Sequence, residues 1–234
     1  MIDWETDGRK SLLINKFKLI NSNNIISLGT KNSDKKFYLI RVEPGGGFFS
    51  IFFSILINIK LANKKKFIPF VDLENFHTKY NQKNKIEGTF NSWEYYFNKI
   101  SNYSLINIYQ SKNVYFSKKS INTNEYIKVH EYNKYKKIIS KYIKIKDSII
   151  KIVQNFEKKN FSGKKVLGVH FRGSDMKTTP SHPFPPTLSQ ITFLIDNFLN
   201  RYQNGTIFVV TEQLDYQIKL KKKYNDKVIF FKSF

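Results

Sequence analysis

The apolar positions fall into blocks that alternate between two periods. Residues 36–42 are nearly continuous in β-branched and aromatic side chains, the pattern of a buried strand. A Glu-Pro-Gly-Gly-Gly run at 43–47 follows and suits neither strand nor helix. Residues 48–63 are apolar on nearly all sides, which predicts a buried helix. Residues 66–71 read as a second strand, with Pro69 near an edge or end and Asp72-Leu73-Glu74 at its C-terminal end. This order predicts a βαβ unit and a parallel sheet.

The middle of the chain is polar and aromatic. Asn91, with Glu94 three residues on, predicts a capped short helix over 91–97, and 113–117 reads as a short strand. From Glu131 to Lys159, Tyr132, Tyr135, Ile138, Ile139, Tyr142, Ile149, Val153 and Phe156 share one helical face. This predicts one long helix joining two domains, ended by Ser162-Gly163. The last segment predicts strand 165–171, then a helix capped by Thr187 and Gln190 whose apolar face includes Ile191, Leu194, Ile195 and Phe198. Strand 206–210, helix 213–224 and strand 227–231 complete a βαβαβ run, half of a doubly wound nucleotide-binding domain. The expected division is an unassigned segment 1–34, a Rossmann-like domain 35–130, a helical connection 131–160 and a partial nucleotide-binding domain 161–234.

Composition narrows the classes. The 234 residues include no Cys, which excludes disulfides, thiolate metal sites and a cysteine nucleophile. The longest apolar stretch, 48–59, is too short for a spanning helix, and the first residues lack a signal peptide's apolar run. With no Cys, the reading favours the cytoplasm. The net charge of +22 is almost all lysine, since Arg occurs only at 9, 41, 172 and 201. Lys, Asn and Ile share adenine/thymine-rich codons, so genome bias accounts for much of the enrichment. Arginine, the residue favoured for bidentate recognition of phosphates and bases, is scarce. No specific nucleic-acid partner is expected, although so much positive charge attracts anions.

Three strand ends hold candidate chemistry, because open parallel sheets bind ligands there. Gly45, Gly46 and Gly47, before Phe48, allow close backbone approach at a helix N-terminus, or form a tight turn and nothing more. His170, Arg172, Ser174 and Asp175 leave an otherwise apolar strand, with His170 and Arg172 at the same parity. Arg172 suits a diphosphate. Asp175 either orients it, accepts from a sugar hydroxyl, or forms a structural pair with it. Thr211 and Glu212 end the next strand; the acid accepts from a base or ribose, or sits as a dipole-favoured first-turn residue.

The stretch Gly168-Val-His-Phe-Arg-Gly-Ser-Asp175 resembles the HxRxxD signature of the fucosyltransferase superfamily, the α1,2-, α1,6- and protein O-fucosyltransferases. Lys177, His182-Pro183, the 44–49 glycine loop, 91–97 and 208–212 are also similar to segments of that superfamily, so the resemblance spans about Lys36 to Phe234. It implies an α/β, GT-B-like fold of two Rossmann-like domains, the second incomplete, with the 45–47 and 170–175 loops facing one cleft. It further implies inverting, metal-independent transfer of fucose from GDP-fucose to a glycan or glycoprotein acceptor, with no cofactor. Arg172 then grips the β-phosphate. The family's usual acid after HxRxxD is missing from 176–180, which leaves His182 as the acceptor base, with Glu43 as the other possibility. The family also continues past the equivalent of Phe234, so the chain reads as a fragment, a split gene or an inactive remnant. The alternatives to an enzyme are a silent nucleotide- or glycan-binding protein and a basic polyanion-binding protein.

Overall fold

The computed structural model describes residues 25–118, 132–172 and 184–231. The chain divides into two compact units, Met1–Ile149 and Ile150–Phe234.

The first unit is built on strands β1 (Ile25–Ile26), β2 (Phe37–Ile40), β3 (Ile68–Val71) and β4 (Val114–Phe116), in the order β1-β4-β2-β3. β2 pairs in parallel with β3 and β4, while β1 runs antiparallel along β4. Helix α1 (Phe48–Lys64) makes the crossover from β2 to β3. Side-chain alternation then splits the core: Tyr38 and Ile40 meet Ile51, Ile55, Leu56 and Ile59 of α1 on one face. Phe37 and Leu39 meet Phe70, Ile108, Val114 and Phe116 on the other. With both faces covered, β2 must be apolar at every position, which is why it reads as a continuous run. Pro69 sits on edge strand β3, where a missing N–H costs no ladder bond.

Several elements differ from the sequence pattern. α1 is not buried all round: Phe49 and Phe53 face outward, 71% and 39% exposed. Residues 92–95 form a 3-10 turn, with the Asn91 side chain accepting from the Trp93 N–H and donating to Glu94 at 3.1 Å. An unpredicted helix, α2 (Leu105–Tyr109), starts at a Ser104–Asn107 capping box. β1 lies within the segment left unassigned. The long helix expected over 131–159 is two: α3 (Tyr132–Tyr142) and α4 (Asp147–Asn160). Between them, Asn98 N–H donates to Lys144 O at 2.8 Å, Lys146 N–H donates to Tyr96 O at 3.0 Å, and Ile145 bridges Phe97. These contacts hold 144–146 extended, against the helical pattern of its side chains.

In the second unit, β5 (Val166–His170), β6 (Thr206–Val210) and β7 (Val228–Phe230) form a parallel sheet in that order. The crossovers are α5 (Leu188–Arg201), with the expected Thr187–Gln190 capping box, and α6 (Leu214–Tyr224). Ile191 and Ile195 of α5 pack with Ile207, Val209, Leu220 and Val228. Leu194, expected on that same face, is 60% exposed. Phe208 turns the other way and meets Phe156 of α4 and Phe161 at 5.5 and 5.4 Å.

The end of α1 carries a strained residue. Phe67 N–H donates to Ala62 O at 2.9 Å and Lys66 N–H to Asn63 O at 3.0 Å, closing the helix around Lys66 at φ 55°. Glycine is the residue that adopts this left-handed position without a Cβ penalty. Lys66→Gly is therefore expected to raise the stability of the first unit by about 1 kcal/mol, read as a higher denaturation midpoint at an unchanged slope.

Candidate functional site

The C-terminal ends of β2, β3 and β4 form one edge of the first unit, because the three strands are parallel. The 43–47 loop leaves this edge and enters α1 with Gly47 as its N-cap, which offers no side chain to the first-turn N–H groups. None of the three glycines has a positive φ. A Cβ at Gly45 or Gly47 would meet nothing within 4 Å, and one at Gly46 only Ile51 and Ser50 at ordinary contact distance. Neither turn geometry nor internal packing demands glycine here; the run leaves bare backbone in front of a helix N-terminus. Phe48 turns away from the loop into a shallow aromatic recess, partly open to solvent. Its ring lies 5.4 Å from Tyr96 and 6.0 Å from Tyr80, and Thr78 and Ser92 also line the recess.

Beneath this edge lies a buried polar cluster that the sequence did not reveal as a unit. Arg41, only 2% exposed, donates from its backbone N–H to Ser117 Oγ and from Nε to Ser117 O, both at 2.9 Å. Its guanidinium lies 5.4 and 5.5 Å from the rings of Phe76 and Phe116. Burial lowers its pKa, partly offset by Tyr109. Asp72, fully buried after β3, accepts from the N–H groups of Asn75 and Glu74, from Asn75 Nδ2 and, at 2.7 Å, from Tyr109 Oη. Burial raises the Asp72 carboxyl above its usual range, with these hydrogen bonds opposing. Arg41 and Asp72 were visible as charges at the ends of apolar strands. Tyr109 and Ser117 carried no local signal, since their partners lie far off in sequence.

In the second unit, His170 ends β5 opposite Val210, the last residue of β6. Phe171 is fully buried, donates its N–H to Val210 O at 2.9 Å and stacks on Tyr216 at 4.0 Å. This anchor sets the alternation: His170 and Arg172, on either side of it, are both exposed. The neighbouring strand continues into Thr211, whose hydroxyl accepts from Gln213 N–H at 3.2 Å, and exposed Glu212. Sequence reasoning passed over Gln213, whose buried Oε1 meets no donor among the described residues. The fold thus gathers His170, Arg172, Thr211 and Glu212 at adjacent parallel strand ends, where α/β sheets bind ligands. Ser174, Asp175, Lys177 and His182 lie outside the described residues.

The Asp72 cluster gives a pH-dependent expectation. A raised folded-state pKa favours folding below the unfolded carboxyl's range, and that contribution is lost as pH rises through the folded value. Tyr109→Phe removes a donor that matters most to the ionised carboxylate. The loss is expected to be about 2 kcal/mol above the pH at which the folded carboxyl titrates and to shrink below it, measured by denaturant unfolding across that transition. A loss of equal size at every pH would contradict this account of the cluster.

No protein-family model and no curated protein sequence matches this chain. Solved structures do. A NodZ α-1,6-fucosyltransferase crystal structure soaked with GDP-fucose is similar at a TM-score of 0.55 and 12% identity, covering 86% of this chain and 79% of that one. Fucosyltransferase NodZ from Bradyrhizobium is similar at a TM-score of 0.53 and 13% identity, over 85% and 79%. NodZ co-crystallised with GDP is similar at a TM-score of 0.50 and 13% identity, over 84% and 78%. At these identities the likeness is one of fold: this chain has the α/β, GT-B-like fold seen in the NodZ fucosyltransferases.

Proposed function

We propose that the protein is a glycosyltransferase that transfers fucose from GDP-fucose, with inversion, to a hydroxyl of a glycan or glycoprotein. The observation that carries this reading is the exposed His170–Arg172 pair on a β5 end held by Phe171, beside Thr211 and Glu212 at the end of β6. The fold likeness to fucosyltransferases solved with GDP and GDP-fucose supports it.

In this reading the acceptor oxygen attacks the anomeric carbon from the face opposite GDP. The bond from that carbon to the β-phosphate oxygen breaks, and its electron pair leaves on the diphosphate. Negative charge therefore grows on the β-phosphate while positive charge grows on the sugar, as in glycoside cleavage. The Arg172 guanidinium supplies the fixed countercharge to the leaving diphosphate, and the reading assigns no metal to that task. Asp175 orients Arg172 or accepts from a sugar hydroxyl. His182 receives the proton of the acceptor hydroxyl. Thr211 and Glu212 accept from the nucleoside, and His170 and Ser174 line the same strand end. In the first unit the reading gives a donor-binding role to the bare backbone at Gly45, Gly46 and Gly47.

Titration calorimetry with GDP and GMP tests the clamp. GDP is expected to bind more tightly, and Arg172→Lys to remove most of the difference, since lysine lacks the planar fork that holds two phosphate oxygens. Equal affinities for the two nucleotides would overturn the role of Arg172.

Transfer itself is followed by release of GDP in the presence of GDP-fucose and a glycan acceptor. Arg172→Lys is expected to slow it about a hundredfold, roughly 3 kcal/mol of transition-state stabilisation. His182→Ala is expected to flatten the rise in rate across the histidine titration while GDP affinity holds. Tight GDP binding without any turnover would identify a silent nucleotide-binding protein instead.

A further inference from the structure

The parallel strands of the first unit have a second edge. β2, β3 and β4 all begin there, and α1, which crosses back from β2 to β3, ends there. The sequence puts lysine at each of these positions: Lys35, paired with Asp34 at 2.8 Å, and Lys36 before β2, Lys64-Lys65-Lys66 at the end of α1, and Lys112 before β4. Helix α3 joins this end, since Tyr142 Oη donates to Asn63 Oδ1 at 2.6 Å and Lys60 lies 5.2 Å from the Tyr135 ring. Lys134, Lys137 and Lys141 recur at i, i+3 and i+7, one stripe of α3 beside the stripe that packs on α1.

No acidic residue occurs in 51–71 or in 132–146. Lys65 and Lys141 instead lie over aromatic faces, 5.0 Å from Tyr115 and 4.9 Å from Tyr142. Chain-wide lysine enrichment puts charge on every surface, but it does not clear acids from two segments that fold against each other. Nor does it account for Lys66, held at φ 55° where glycine is unstrained. The cluster lies at the end of the sheet away from the glycine loop.

We propose that this basic edge docks the protein on an anionic lipid bilayer. The choice of lipid over nucleic acid rests on side-chain chemistry. These two segments contain no arginine, and lysine is a hydrated point charge suited to a diffuse layer of headgroups rather than to bidentate readout. Ile139, 39% exposed among the α3 lysines, adds an apolar contact of the kind found on interfacial helices. A membrane bound here would leave the glycine-loop edge of this unit directed away from it. The inference does not depend on the donor assigned above.

The test is sedimentation of the full chain with vesicles of phosphatidylcholine containing one quarter phosphatidylserine, against phosphatidylcholine alone, over a range of salt. Binding only to the anionic vesicles, weakening as salt rises, is expected. The quadruple variant Lys64→Gln, Lys65→Gln, Lys137→Gln, Lys141→Gln should bind about a hundredfold more weakly. An equal charge change in the second unit, Lys158→Gln, Lys159→Gln, Lys164→Gln, Lys165→Gln, should cost less than about threefold. All eight positions are exposed, and circular dichroism checks that each variant folds. Equal losses in the two variants, no binding to the anionic vesicles, or tighter binding to single-stranded RNA than to those vesicles would each overturn the proposal.

Discussion

Parallel pairing is the constraint on which both units depend. A parallel strand cannot be reached through a tight turn, so each return passes through a crossover that covers a face of the sheet. Two consequences follow. Strands buried on both faces must be apolar at every position, as at Phe37–Ile40. Within each sheet the segments leaving the mutually parallel strands emerge at one edge. In the first unit this edge receives the glycine loop and Asp72; in the second it receives His170, Arg172, Thr211 and Glu212. Candidate chemistry collects there because the topology leaves the polar chain few other exits.

Two ways of fixing those exits are visible. In the second unit a hydrophobic anchor does it: Phe171, buried and stacked on Tyr216, holds the backbone between His170 and Arg172. In the first unit the support is polar. The Arg41–Ser117 hydrogen bonds tie the ends of β2 and β4 together, and Asp72 gathers Asn75, Glu74 and Tyr109. Buried polar groups are costly unless fully paired, so such a cluster specifies one arrangement of the loops that share it.

The sequence was most legible where local pattern and tertiary environment agree. The buried β2, the glycine break, the α1 crossover and the Thr187–Gln190 cap all announce themselves within a few residues. It was least legible where distant backbone decides. Residues 144–146 continue a helical periodicity, yet Tyr96, Phe97 and Asn98 capture their backbone and split α3 from α4. β1 spans two residues and exists only through β4. Leu194 and Phe49 fit an apolar stripe by spacing and still face solvent. Arg41 and Asp72 were readable as charges, but their partners Ser117 and Tyr109 required the fold. The basic edge is a similar case: its lysines are dispersed in sequence and adjacent only because β2, β3, β4 and α1 share one end.

The central claim is that a guanosine diphosphate sugar is held at the ends of β5 and β6. Hydrogen exchange of the full chain, measured with and without GDP, tests it most directly. The account predicts added protection at residues 170–172 and 211–213, with exchange at 64–66 unchanged. Protection confined to other segments, or an exchange pattern unaltered by saturating GDP, would contradict it.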